Sequence, residues 1–181
     1  DFTSGNPLKI YVAKGIYKPL YNAADGSYTT DGGRNNAFVL VKNVQIYGGF
    51  DPDNGIDDLS DPRIFGSVGS ILSGDFNNND VISGTGSTLT ITGNSENAYH
   101  VVVAAGSNNS TVLDGFTLTG GNANGTTALT VNGLLVNVNQ GGGVFSRSSM
   151  AVLSNLWVTG NASQVQGAGL YGIASNYTVT N

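Results

Sequence analysis

The sequence contains no cysteine, and only one histidine, one tryptophan, one methionine and four prolines among 181 residues. Lack of cysteine removes disulfides as staples and fits many bacterial exported proteins. Charge is sparse: 7 Lys and Arg stand against 12 Asp and Glu, a formal net charge of −5. With so few cations no basic patch forms, which argues against nucleic-acid and anionic-membrane binding. No run reaches the roughly 18 apolar residues of a membrane span. Helical periodicity is missing as well, since no window carries an apolar stripe at i, i+3, i+4 and i+7. The lone His100 has no Ser, Cys or acid at a spacing that would make a catalytic pair, so it reads as structural.

Glycine and asparagine are plentiful, with 27 and 22 residues. Both tolerate the left-handed backbone of tight corners. Hydrophobic residues still make up 39%. They gather in short runs of Val, Leu, Ile, Thr, Phe and Tyr, which argues for a folded β protein rather than a disordered chain. These runs also repeat. Thr111-Val-Leu-Asp-Gly-Phe-Thr-Leu-Thr-Gly-Gly-Asn-Ala returns 40 positions later as Ala151-Val-Leu-Ser-Asn-Leu-Trp-Val-Thr-Gly-Asn-Ala. Gly142-Gly-Val-Phe145 returns 26 positions later as Ala168-Gly-Leu-Tyr171, and Thr90-Ile-Thr-Gly-Asn94 precedes Thr117-Leu-Thr-Gly-Gly121 by 27. One unit of this length, stretched to 40 by about 13 inserted residues, is the mark of a stacked solenoid.

The expected strands are 99–104, 111–119 and 143–146, then 151–159, 169–173 and 177–180. Alternation in Phe116-Thr-Leu-Thr and Leu156-Trp-Val-Thr gives each run an apolar and a polar face. A unit this short buries a face only by stacking on its neighbours at the strand spacing of about 4.8 Å. Phe116 should then lie over Leu156, Leu118 over Val158, and Val112 over Val152 and Val179. The predicted fold is all-β, a right-handed parallel β-helix forming one domain of about five or six coils over 1–181. Irregular opening coils with long loops occupy 1–80, regular coils 81–181, and a β-hairpin insertion lies around 125–138. That insertion, within 122–140, holds two apolar runs around Asn132-Gly133, the strongest short-range hairpin signal. It either meets a partner or folds down over the solenoid's side. Neither end carries a polar cap and 177–181 stops inside a coil, which predicts a piece of a longer protein stacking on further coils of its own chain.

Several stretches carry a family likeness. Ile10-Tyr-Val-Ala-Lys-Gly-Ile-Tyr-Lys-Pro19, Ile46-Tyr-Gly-Gly-Phe50, Ser70-Ile-Leu-Ser-Gly-Asp75 and Ala98-Tyr-His-Val-Val102 resemble the opening coils of secreted right-handed β-helix surface proteins of Bacteroidetes-type bacteria. Gly141-Gly-Gly-Val-Phe145 and Gly167-Ala-Gly-Leu-Tyr171 are similar to the repeats of polymorphic outer-membrane proteins. The resemblance covers nearly the whole chain. It implies an extracellular or cell-surface location and export by a dedicated (type IX) secretion system.

Candidate sites are few. Asp75-Phe-Asn77-Asn-Asn79-Asp80 sets oxygen side chains at alternate positions, the spacing with which a tight loop presents ligands to Ca²⁺, though without the Gly and bidentate Glu of an EF-hand. Such a run also serves simply to turn the chain. Asp51-Pro-Asp53-Asn-Gly-Ile-Asp57-Asp58, with Asp61 beyond, concentrates five carboxylates in 11 positions, screened by water or held by a cation. Ca²⁺ is therefore the one cofactor expected, with Asp75, Asn77, Asn79, Asp80, Asp51, Asp53 and Asp57 as its candidate ligands. Trp157 and Thr117 occupy equivalent outward positions, and an exposed Trp either stacks on a sugar ring or covers a neighbouring loop. Arg147, nearly the only cation in the regular coils, is the other candidate ligand-binding residue. Pectate-lyase-like β-helices set an Arg or Lys base beside Ca²⁺-binding carboxylates. No such cluster recurs beside Arg147, and Asp114 reads as isolated near a bend. Paired carboxylates of the kind glycoside hydrolysis needs do not stand out, so no catalytic residue is assigned. Rows of alternate threonines at Thr88, Thr90 and Thr92 and at Thr117 and Thr119 are ordinary strand surface.

The expected function is a structural or adhesive module on a bacterial cell surface, non-catalytic in this segment, with a glycan or another surface protein as partner. The alternative is a carbohydrate-active β-helix, a polysaccharide lyase or glycoside hydrolase acting on an acidic or neutral polysaccharide.

Overall fold

The computed structural model describes residues 2–28 and 33–180. Expectations touching Asp1, residues 29–32 and Asn181 lie outside those residues. The chain is nearly all β, and helix among the described residues is confined to three single-turn 3-10 segments. A first pass supplies β1 (Leu8–Ala13), β2 (Gly15–Tyr17) and β3 (Phe38–Val39). The second supplies β4 (Val44–Phe50), β5 (Ser70–Ser73), a side hairpin of β6 (Val81–Ser83) and β7 (Thr90–Thr92), and then β8 (Val102–Ala105). A third gives β9 (Val112–Asp114), β10 (Phe116–Thr119), β11 (Asn122–Ala123), the hairpin β12 (Ala128–Val131) and β13 (Leu134–Asn137), and β14 (Val144–Arg147). A fourth gives β15 (Val152–Ser154), β16 (Trp157–Val158), β17 (Ala162–Ser163) and β18 (Leu170–Ile173), and β19 (Thr178–Thr180) begins a fifth.

Three large parallel sheets collect most of these strands, and β11 and β17 form a small fourth parallel pair. The orders of the three are β1-β4-β9-β15-β19, β2-β5-β10-β16 and β3-β8-β14-β18, so every pass adds one strand to each sheet in the same sequence. Register follows the repeats read from the sequence. Val112 pairs with Val152, Leu118 with Val158, Val144 with Leu170 and Phe145 with Tyr171. Thr117 pairs with Trp157, so one step back Phe116 lies opposite Leu156. The inward side chains form one core, including Leu72, Val102, Leu113, Phe116, Leu118, Val144 and Leu153, with Leu156, Val158 and Leu170 half-buried against it. Each fully buried Leu, Val or Phe contributes roughly 1.5–3 kcal/mol. At the first pass the core opens into an apolar hollow of about 640 Å³ between Val12, Tyr17, Leu40 and Phe116 and the loop side chains Tyr21 and Ala23.

Corners between sheets use left-handed backbone. Gly115 (φ 81°) turns the chain from β9 into β10, and one pass later Asn155 (φ 49°) does the same between β15 and β16. A Cβ at Gly115 would meet the Gly48 carbonyl oxygen at 2.9 Å, so bulk as well as φ selects glycine there. At another corner Asn43 and Asn108 stack, the Asn108 Nδ2 donating to Asn43 Oδ1 at 2.7 Å.

Three expectations are corrected. Val152 pairs with Thr178, and Val179 with Leu153. The spacing in this sheet is thus 26, and because strand side chains alternate, the one-residue difference moves Val179 to the inward column of Leu113 and Leu153. Thr90–Thr92 does not underlie Thr117: it pairs antiparallel with Val81–Ser83, while Ser70–Ser73 lies beside Phe116–Thr119. Regular passes therefore begin after this hairpin rather than at Val81. The Thr-Ile-Thr-Gly string matched in polarity but has no buried partner, and Val81 and Ile82 are exposed.

The 125–138 insertion is a hairpin with Asn132 and Gly133 at its turn (φ 52° and 75°), and it folds down rather than projecting. Val131 and Val136 are buried in a second cluster with Val103, Ala105 and Phe145 on the outer face of the third sheet. That sheet is consequently apolar on both faces, which explains why Val102–Ala105 shows no alternation.

Candidate functional site

The densest polar arrangement lies on the outer wall where the first sheet turns into the second. In the row Tyr11, Tyr47, Asp114, Ser154 and Thr180, each residue pairs with the next across parallel strands. Asp114 lies at its centre and is buried. Its Oδ1 meets Arg63 Nη2 at 2.6 Å, a close charge pair rather than an aligned hydrogen bond. Oδ2 accepts from Ser154 Oγ and from Asn155 Nδ2, the latter at 2.8 Å. The Arg63 guanidinium lies 5.1 Å from the Phe65 ring centre and 5.8 Å from those of Tyr47 and Phe50, and it donates to the Gly48 carbonyl at 3.1 Å. Burial, followed by the Asp114 charge, pushes the Tyr47 phenol above its usual pKa. Arg63 thereby pins the long loop between β4 and β5 to the wall.

Beside this pair Trp157 rests on the same loop. A Cβ at Gly66 would collide with the Trp157 ring, and the backbone there has φ 77°, so Gly66 is the seat on which the indole lies. Thr117, the pairing partner of Trp157, donates its hydroxyl to the Gly66 carbonyl at 2.9 Å. Trp157 remains 59% exposed and forms a cleft of about 250 Å³ with Phe65, Gly66, Asn155 and Leu156. The indole therefore covers a loop with one side and offers apolar surface with the other. Sequence reading found Trp157 but missed Arg63 and took Asp114 as isolated. A loop residue 51 positions before Asp114 gives no periodic signal. The visible clue was the 40-residue repeat, which sets Ser154 and the turn residue Asn155 one pass above Asp114 and Gly115.

The other expected positions are dispersed. Arg147 Nη1 donates to the Leu135 carbonyl at 3.0 Å, tying down the hairpin. Asp51 is buried and pairs with Lys14 at 2.6 Å, with Asn54 Nδ2 also donating to it. The Lys14 hydrogen bond holds the Asp51 carboxyl below its usual pKa. Asp61 accepts the N–H groups of Asp57 and Asp58, and Asp58 accepts from Ser60. Asp53 lies on the exposed single-turn helix Pro52–Asn54. Asp75 likewise accepts the N–H groups of Asn79 at 3.3 Å and Asp80 at 3.2 Å, while Asn77 and Asn79 are exposed. Both acidic loops are thus organised by side-chain-to-backbone turns. Among the described residues no three His, Cys, Asp or Glu side chains converge as a metal-binding group.

His100 is buried beneath the third sheet, with Nδ1 2.9 Å from the Gly141 carbonyl and its ring 5.4 Å from that of Phe145. Nδ1 carries the proton in this arrangement, and burial pushes the imidazole pKa down to about 4. Among the described residues no helix is long and apolar enough to cross a membrane. No family model, no curated protein and no solved structure matches this chain.

Proposed function

We propose that the chain is a right-handed parallel β-helix serving as a rigid structural or adhesive module outside a bacterial cell, with a glycan or another surface protein as its partner. The observation that carries this reading is the return to three parallel sheets in one fixed order on every pass. Connections between parallel strands of one sheet are right-handed in nearly all proteins, which supplies the hand. Support for display outside the cell comes from the resemblance of 10–19, 46–50 and 70–75 to surface β-helices. Adhesion is favoured by Trp157, an exposed aromatic held on a stiff wall, where stacking costs little conformational entropy. Arg63 and Asp114, on the same part of the wall, are engaged with each other, which favours a contact surface there over a reactive one. The unpaired strand edges at β1, β2 and β3 and at β16, β18 and β19 are suited to receiving further coils.

The test is a glycan array probed with the purified chain, run beside incubation with pectin-like and alginate-like polymers in calcium. Binding that Trp157→Ala abolishes, without turnover, supports the adhesive module. Release of unsaturated sugars contradicts it and identifies a polysaccharide lyase. Hydrolytic release identifies a glycoside hydrolase.

A further inference from the structure

Where the chain leaves the second sheet for the β6–β7 hairpin and returns, three oxygen atoms lie buried without a hydrogen-bond partner: Asp80 Oδ1, Glu96 Oε1 and Asn97 Oδ1. Asn97 is 1% exposed. Its Nδ2 donates to Asp80 Oδ2 at 2.8 Å, which places its carboxamide against that carboxylate, while its own oxygen has no donor. Orphaned buried oxygens are costly, the more so where the group is charged. Three from one short stretch of wall call for a common partner.

The neighbouring cations do not supply it. Arg34 donates from Nε to the Asn97 carbonyl and from Nη2 to the Asn122 carbonyl and Asn124 Oδ1, and its guanidinium lies over the Tyr99 ring. Lys18 donates to the Phe76 carbonyl. Among the described residues the ion pairs are Lys14 with Asp51 and Arg63 with Asp114; Arg34 feels the Glu96 charge without forming an ion pair with it, and Asp80 pairs with no cation. Asp75, one turn away, adds a third negative charge while its own oxygens take backbone N–H groups. Burial, and then the charges of Asp75 and Glu96, raise the Asp80 pKa against the lowering effect of Asn97, as expected of a carboxylate without a counter-ion.

We propose that Asp80, Glu96 and the Asn97 carboxamide oxygen form a calcium site at the root of the β6–β7 hairpin, with water completing the shell. The donors are all oxygen, carry two negative charges and come from irregular loops rather than from a strand. That set suits Ca²⁺, which takes six to eight oxygens in irregular geometry, better than Mg²⁺ with its strict octahedron or Zn²⁺ with its preference for nitrogen and sulfur. Of the alternate-position run the site keeps Asp80 alone, since Asn77 and Asn79 are exposed and Asp75 is engaged in the turn. Calcium would hold together two strands of chain 16 residues apart in sequence and fix the hairpin's angle on the wall.

The experiment is calorimetric titration of the EDTA-stripped chain with CaCl₂ and, separately, MgCl₂, with thermal unfolding beside it. One equivalent of Ca²⁺ should bind and raise Tm, and Mg²⁺ should bind more weakly. Asp80→Asn and Glu96→Gln should each weaken Ca²⁺ binding at least about tenfold, while Asp53→Asn leaves it unchanged. Because either change also alters a buried charge, Tm in EDTA shows whether the variants fold. Asn97→Asp gives a second arm: it should lower Tm in EDTA and tighten Ca²⁺ binding. No saturable Ca²⁺ heat or Tm shift up to about 10 mM overturns the proposal. So does binding that survives both Asp80→Asn and Glu96→Gln.

Discussion

Arg63 holds the loop of the second pass against the wall through a carboxylate that water scarcely reaches. Removing one partner of such a pair strands the other as a buried charge, which costs about 3–5 kcal/mol. Arg63→Met should therefore lower unfolding free energy by about 3 kcal/mol in urea. Adding Asp114→Asn should restore part of that loss, because no stranded carboxylate remains; strict additivity in the double variant would show that the two residues do not couple. His100 gives a pH signature. Its pKa is 6.5 in the unfolded chain and about 4 when folded, so between those values the unfolded state takes up a proton that the folded state refuses. Stability is then full above about pH 6.5 and falls as pH drops through about 4, by about 3 kcal/mol in all. His100→Gln keeps a donor for Gly141 and should flatten this part of the urea-midpoint profile. Asp80, whose pKa is raised, contributes with the opposite sign in acid, so the difference between wild type and variant is the quantity to read. An unchanged slope in His100→Gln would show that another group carries the effect.

At the scale of elements, the two hairpins behave differently because their side chains do. The β12–β13 hairpin buries Val131 and Val136 and is tied by Arg147 to Leu135 and by Asn132 Nδ2 to the Ala105 carbonyl at 3.0 Å. Val136→Asp should lift it off the third sheet. The expected outcome is new proteolytic cleavage within 125–138 with the remaining strands still protected; uniform unfolding would mean that the hairpin belongs to the main core. Glycines between passes are equally demanding. A Cβ at Gly143 would strike the Gly169 carbonyl oxygen and approach Val158 Cγ1 at 3.0 Å, so Gly143→Ala should cost about 1–3 kcal/mol, read as a drop in Tm. Much of this was legible in the sequence. Phe116 with Leu156, Leu118 with Val158 and Val144 with Leu170 were visible because apolar residues recur with the passes. The β5 strand was not, since 46 residues separate Ile71 from Thr117 and the intervening hairpin carries a better imitation of the repeat. Arg63, Glu96 and Asn97 escaped for a related reason. They lie on excursions of unequal length, where no period predicts which loop residue returns to which part of the wall.

For the whole molecule, what matters is that residues far apart in sequence become nearest neighbours along one axis. One outward column contains Lys9, Gln45, Val112, Val152 and Thr178, each paired with the next. The separations in sequence are unequal, 67 positions from Gln45 to Val112 and 26 from Val152 to Thr178, yet in space they all equal one strand spacing of about 4.8 Å. Paired Cα atoms at that distance fall within the window of about 4.4–6.8 Å that a disulfide bridges. Because the chain has no cysteine, paired substitutions report this geometry without background. The decisive measurement is mild oxidation of Gln45→Cys/Val112→Cys and Val152→Cys/Thr178→Cys beside two controls, Lys9→Cys/Val112→Cys, which skips a strand, and Val152→Cys/Val179→Cys, which faces opposite sides. Stacked parallel passes require both neighbouring pairs to cross-link and both controls to stay reduced. Cross-linking in the controls with none in the neighbouring pairs would contradict the stack.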